Sequence, residues 1–222
     1  MSGALQAIFQ NQRSFGPPPP GAIGSAYEGG FYAGQISTAA NGIATHYLVI
    51  GPKATAQSGT TLQWKNAQTA TPGADSVIDG LQNTADMVAD GNATVYPAAH
   101  FCNNLVTGGQ TDWYLPSKNE LEVCYFNLKP TTDSNNTSSG INANAIPARA
   151  SNYTSGNPAQ TSVVNFQVGN SEAFNASGDI YWSSTEKSVG EAWGQYTLTG
   201  NQNYSTNKTG VAPVRAIRRV AV

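Results

Sequence analysis

The stretch Thr111-Asp112-Trp113-Tyr114-Leu115-Pro116-Ser117-Lys118-Asn119-Glu120-Leu121 decides how the rest of the chain reads. Ser117 followed three residues later by Glu120 is a capping box, in which each side chain can satisfy an orphan amide of a helix's first turn. Leu121, Cys124 and Leu128 then fall on one helical face, and Pro130 ends the helix. The residues before it, Trp113-Tyr114-Leu115, are aromatic and apolar and lead straight into the cap.

Working upstream, Pro97 suits a first helical position. Ala98, Cys102 and Leu105 share one face behind it, and Gly108-Gly109 closes the segment. Further back, Ile78, Leu81, Ala85 and Val88 recur at helical spacing with Gly91 just beyond, which predicts a helix over 78–88. Gly30 to Ile36 and Thr45 to Ile50 are β-branched or aromatic runs between turn residues, and both read as strands. Thr61 to Lys65 is a further short strand.

Downstream, residues 131–160 are dominated by Asn, Ser, Thr, Gly and Pro. A loop of that length is either functional or disordered. Val163–Val168, Ile180–Ser184, Ala192–Leu198 and Val214–Val222 then read as strands. With no regular strand–helix alternation, the pattern is α+β, with short antiparallel strands around two principal helices.

Residues 1–25 stand apart. Ala4 to Phe9 is long enough for a turn or two of helix, and Pro17–Pro20 form a stiff spacer. Either this arm docks on a neighbouring subunit or it is a disordered tail. The domain organisation expected is therefore an arm over 1–25 and one domain over 26–222.

Composition narrows the function. Only 11% of the 222 residues are charged, and the net charge is −2. No basic stripe supports nucleic-acid binding. Four Trp, ten Tyr and seven Phe supply ample core. No apolar run approaches the roughly 20 residues of a membrane span. Residues 1–10 lack the basic and apolar regions of a secretory signal, so synthesis in a cytoplasm is expected.

No catalytic motif holds together. There is no Gly-x-Ser-x-Gly elbow, phosphate loop or His-Glu-x-x-His, and His46 and His100 lie in unrelated segments. The expectation is a non-enzyme without cofactor or metal. Cys102 and Cys124 both fall on core-facing helical positions. They read as buried free thiols, or alternatively as a pair that joins after release.

The C-terminal third carries the recognition chemistry. Thr197 to Thr209 is rich in Asn, Tyr, Ser and Thr. Tyr offers rigid contact area, and Ser and Asn offer adaptable hydrogen bonds, as in a paratope. The alternative is a merely solvated hairpin. The candidate ligand-binding residues are Lys187, Glu191, Tyr196, Thr197, Thr199, Asn201, Gln202, Asn203, Tyr204 and Asn207. Trp113, Trp182 and Trp193 are expected in the core beneath them. Glu120 is expected to pair with Arg215 or Arg218.

These motifs also carry a resemblance. Asp112-Trp-Tyr-Leu-Pro-Ser-Lys-Asn-Glu-Leu121 resembles the signature of the Lcl C-terminal domain family. Ile180-Tyr-Trp-Ser-Ser-Thr-Glu186, Ala192-Trp193 and Val214-Arg-Ala-Ile-Arg-Arg-Val220 match its second half in order. Gly29–Ile36 and Tyr47–Lys53 look like its phage-borne branch. The resemblance implies a C-type-lectin-like fold over roughly 27–222. It also implies adhesin or phage receptor-binding roles, and in some members a diversified segment, here 187–213. Lys187, Val189, Gly190 and Glu191 depart from the Tyr/Ser/Asn-rich run such a segment would carry. A formylglycine-generating activity is not implied, because no cysteine follows Cys124.

The function expected is a virion structural protein of receptor-binding tail-fibre or tail-tip type. Its partners would be other virion proteins through the arm, and a host-surface glycan or protein through the loops. No nucleic acid and no membrane insertion are expected, and a homo-oligomer, a trimer foremost, would present the sites. A head fibre or capsid decoration protein is the second reading, and a bacterial surface adhesin the third.

Overall fold

The computed structural model describes residues 18, 20–176, 180–202 and 205–222. Most of the expected arm lies outside them, and the described residues are essentially those of the domain.

The chain is mixed α+β, with antiparallel strands dominating. The main sheet contains β1 (Ala26–Tyr27), β2 (Gly30–Ile36), β3 (His46–Ile50) and β10 (Ile217–Ala221), in the order β1-β2-β3-β10. The short β5 (Ala145–Ile146) also pairs with β2. β4 (Leu62–Gln63) pairs with β9 (Val211–Ala212). β6 (Ile180–Ser188), β7 (Glu191–Tyr196) and β8 (Ser205–Asn207) form a third sheet. Four α-helices are described: α1 (Lys53–Ala56), α2 (Gly80–Asp90), α3 (Pro97–Asn103) and α4 (Lys118–Leu128).

Strand alternation splits the core in two. Leu48 and Ile50 of β3 join Ala33, Ile217 and the α4 residues Leu121, Cys124 and Leu128 in one cluster. Tyr47 and Val49 join Trp64, Cys102, Trp113 and Trp182 in the other. Cys102 and Cys124 are both buried free thiols, one in each cluster.

The capping box forms as its sequence requires. Ser117 Oγ accepts from the Glu120 amide at 3.4 Å, and Glu120 Oε2 accepts from the Ser117 amide at 2.8 Å. Glu120 is fully buried and takes two further donors, the Gly80 amide at 3.1 Å and the Tyr114 hydroxyl at 2.7 Å. Gly80 is needed there, because a Cβ would run into the Ser117 amide and the Glu120 carboxylate. One carboxylate thus fastens the starts of α2 and α4 to Tyr114, which itself bridges to Ile217 of β10.

That arrangement corrects the expected pairing of Glu120 with Arg215 or Arg218. Arg215 is fully buried and bonds Glu172 at 2.9 Å. Arg218 grips Asp112 with two bonds, Nε to Oδ1 at 2.7 Å and Nη2 to Oδ2 at 2.9 Å. Glu120 already has donors of its own, and each arginine has found a different acid.

Three further expectations are corrected. The helix over 78–88 begins two residues later, and only part of its apolar stripe faces inward: Leu81 and Ala85 are exposed, whereas Val88 packs against the core. Leu81 is 42% exposed, whereas Asn83, Thr84 and Met87 are buried. The reason is hydrogen bonding: Asn83 Nδ2 donates to Ser76 O at 2.7 Å and to Ser184 Oγ at 3.1 Å, and Thr84 Oγ1 donates to Gly80 O at 2.7 Å. Polar groups with partners are cheaper to bury than their composition suggests. Val163–Val168 is not a strand but holds a 3₁₀ turn, Val164–Phe166, which buries Phe166. Gly108-Gly109 does not close α3, which ends at Asn103. Instead, these glycines turn the bridge between Thr107 and Gln110, both with positive φ.

Trp64 is a core residue that no sequence motif singles out. Its indole donates to Ser183 O at 2.8 Å, while the Trp182 indole donates to Leu62 O at 2.8 Å. The two rings thereby stitch β6 to the β4 region in both directions.

Candidate functional site

The β6–β7–β8 sheet is set against the start of α4. Glu191 lies opposite Asn207 and Trp193 opposite Ser205 in the β7–β8 register. Lys118, the first residue of α4, is clamped by its backbone: its amide donates to Thr185 Oγ1 at 3.0 Å, and its carbonyl accepts from Gln202 Nε2 at 3.4 Å. Its Nζ then sits 4.4 Å from the centre of the Trp193 ring. Lys187 Nζ lies 4.9 Å from the same ring, and 3.8 Å from Glu191. Burial lowers the pKa of Lys118, and the nearby Glu122 charge partly restores it.

Trp193 is therefore half-buried at the surface under two ammonium groups, and not in the core as expected. Trp113 and Trp182 are buried as expected. The separation follows from strand alternation, since Ala192 and Gly194, which flank Trp193, are the ones turned inward.

The turn after β7 is built on loop residues far away in sequence. The Gln202 amide donates to Ser139 Oγ at 3.0 Å, and the Asn136 amide donates to Thr199 O at 2.8 Å. Gly200 has φ of 74°, and a Cβ there would run into the rings of Tyr125 and Tyr153. The 131–160 segment is itself fixed by Glu122. This buried carboxylate accepts from Tyr153 Oη at 2.5 Å, from Asn142 Nδ2 at 2.6 Å and from Arg149. These bonds tie the 131–160 segment to α4.

A cleft of about 140 Å³ opens beside this turn. Lys118, Ser138, Ser139, Asn152 and Gln202 line it, with Ile141, 56% exposed, at its side. The ensemble offers an ammonium, hydroxyls, amides and one apolar side chain at an open surface. Such a set can bind by hydrogen bonds and apolar contact.

The expected site residues divide. Lys187 and Asn207 are exposed and Glu191 half-buried, all on the β6–β8 sheet. Tyr196, at the end of β7, and Thr199 and Asn201, in the turn beyond it, are half-buried. Thr197 and Gln202 are buried and hold the turn in place, and Gln202 also lines the cleft. Thr197 Oγ1 donates to Asn175 O, and Gln202 holds Lys118 and Ser139. Asn203 and Tyr204 lie outside the described residues. Lys118, Trp193, Ser138, Ser139, Ile141 and Asn152 are additions that sequence reasoning missed. The one available signal for four of them was the length of the 131–160 loop.

Among the described residues no group of three or more His, Cys, Asp or Glu side chains could hold a metal ion. None of their helices is long and apolar enough to cross a membrane.

A mixed α+β frame with the Trp-Tyr-Leu-Pro-Ser lead-in, the capped α4 and the terminal arginine strand defines the class to which the chain belongs. It is a member of the Lcl C-terminal domain family, whose model matches residues 53–218. No curated protein matches the chain.

Proposed function

We propose that this chain is a non-enzymatic recognition domain of C-type-lectin-like type. Its place would be in a bacteriophage particle, as a receptor-binding component of tail-fibre or tail-tip kind. The observation that carries the reading is the surface around Trp193. Two lysines lie over the ring, a polar cleft opens beside it, and the side chains that clamp the Lys118 and Gln202 backbone, those of Thr185, Gln202 and Ser139, are buried.

A site held in place before binding loses little entropy on contact. Trp193, Ile141 and Tyr196 supply contact area, and Lys118, Lys187, Asn152 and Asn207 supply directional bonds. Membership in the family and the weakly charged, aromatic-rich composition support the reading. Neither names the ligand, which is a host-surface glycan or protein.

The test is binding of the labelled full chain to a panel of bacterial cells, wild type beside Trp193→Ala combined with Asn152→Ala. Loss of binding with an unchanged melting temperature supports recognition at this face. Wild-type protein that binds no cell, even as an oligomer, would overturn it in favour of a head fibre or capsid decoration role.

A further inference from the structure

A second surface feature shares no lining residue with the cleft beside Trp193. Leu62, Ala93, Pro97, Phe101 and Leu105 line a groove of about 470 Å³, with His100 and Asn104 at its margins. No lysine, arginine, aspartate or glutamate borders it. Val106, next along the chain, is 77% exposed. A cleft of this size is comparable to those that accept drug-sized ligands or the apolar anchors of a peptide segment.

The chain contains a segment of matching chemistry. Residues 1–12 carry no Asp, Glu, Lys or Arg side chain, and Leu5, Ile8 and Phe9 recur at the spacing of one helical face. An uncharged apolar segment suits an uncharged apolar groove, since neither side must desolvate a charge.

Chain direction decides whose groove it fills. The described chain runs from Pro20 along β1 towards the turn at Glu28–Gly29, where Gly29 packs against Gly108, just beyond Leu105. The Gly24 amide donates to Tyr32 O at 2.8 Å, so the approach to β1 is already held along β2. Between Gly29, beside Gly108, and Gly24, beside Val163, the described chain therefore runs away from the groove. Pro17–Pro20 resist the tight reversal that would bring it back. The residues between Phe9 and Pro20 can span roughly 30 Å when extended, enough to reach another molecule.

We infer that the groove formed by β4 and α3 receives residues 4–9 of a second copy of this chain, so that the copies assemble by exchanging arms.

The test uses the full chain throughout. Light scattering after gel filtration should show an assembly for wild type. It should show monomers for Leu5→Asp with Ile8→Asp, and for Ala93→Glu with Asn104→Glu. Ala93 and Asn104 are both exposed, so these last changes should leave the melting temperature unmoved. Mixing Ile8→Cys chains with Ala93→Cys chains under oxidation should give a cross-linked band at twice the chain mass. Cys102 and Cys124 are buried and should stay out of that reaction. A monomeric wild type, an assembly that survives both sets of changes, or cross-linking only within a chain carrying both cysteines would each overturn the inference.

Discussion

The Tyr153 hydroxyl donates to the Glu122 carboxylate at 2.5 Å, joining the far end of the 131–160 loop to the buried face of α4. Asn142 and Arg149 complete the ring of donors. A buried carboxylate held this way is costly to leave half-satisfied. Glu122→Gln should destabilise the protein by about 3 kcal/mol, because the amide turns a donor towards groups that are themselves donors. Tyr153→Phe should cost about 1–2 kcal/mol. Urea unfolding measures both. A change below about 0.5 kcal/mol for Glu122→Gln would mean that aromatic packing, not the carboxylate, holds the loop.

Gly200 is a second support of the same region. Its positive φ and its contact with Tyr125 and Tyr153 both exclude a side chain. Gly200→Ala should cost about 2–3 kcal/mol from backbone strain and overpacking together. It should also weaken cell binding, since the turn beyond it carries Asn201 and Gln202. Thermal unfolding beside the binding assay would separate the two effects. Unchanged stability would contradict the packing described.

The pH dependence of stability should carry a mark of Glu120. Burial pushes its carboxyl above the ordinary value of 4.5, against the hydrogen bonds from Ser117 and Tyr114 that pull it down. A carboxyl raised in the folded state keeps its proton where the unfolded chain has released it. Its contribution is full below the unfolded value and is lost as pH rises through the folded value. Glu120→Gln removes this term. The stability of wild type relative to the variant should therefore fall as pH rises above the ordinary value of 4.5, measured by denaturant titration at each pH. A rise over that range would show that the hydrogen bonds, not burial, dominate.

Arg218 tests the value of a fork against a point charge. It holds Asp112 through two nitrogens and donates a third bond to Glu28 O at 2.9 Å. Lysine cannot reproduce that geometry. Arg218→Lys should cost about 1 kcal/mol, modest because Asp112 is half exposed and screened by solvent. That corresponds to a fall of about 3 °C in melting temperature. No shift would reduce the pair to an ornament of the surface.

What the sequence disclosed, and what it withheld, depends on the reach of each interaction. The Ser117–Glu120 cap, Pro97 at the first turn of α3 and strands β2 and β3 were legible because their signals lie within a few residues. The inward face of α2 was not. Asn83 is buried by a partner 101 residues away, Ser184, which no periodicity reveals. Glu120 was rightly placed in a cap, but its further donors come from Gly80 and Tyr114, and Arg215 turned instead to Glu172. At the site, Lys187, Glu191 and Asn207 were named as parts of the variable stretch 187–213, whereas the structure sets them on β6, β7 and β8. Lys118 was not, because it sits in a helix-start motif and meets Trp193 only through tertiary packing. Thr197 and Gln202 have the composition of contacts but the burial of supports.

The order β1-β2-β3-β10 has a temporal consequence. The strand that completes the main sheet is supplied by residues 217–221, whereas its partner β3 is formed by residues 46–50. During synthesis, β2 and β3 can form a hairpin early, yet one edge of β3 stays open until nearly the whole described chain has left the ribosome. Open edges are templates for pairing with the wrong strand. The nascent chain therefore carries an open edge from the emergence of β3 until β10 arrives, and a ribosome stalled anywhere between them would hold a domain with an unfinished sheet.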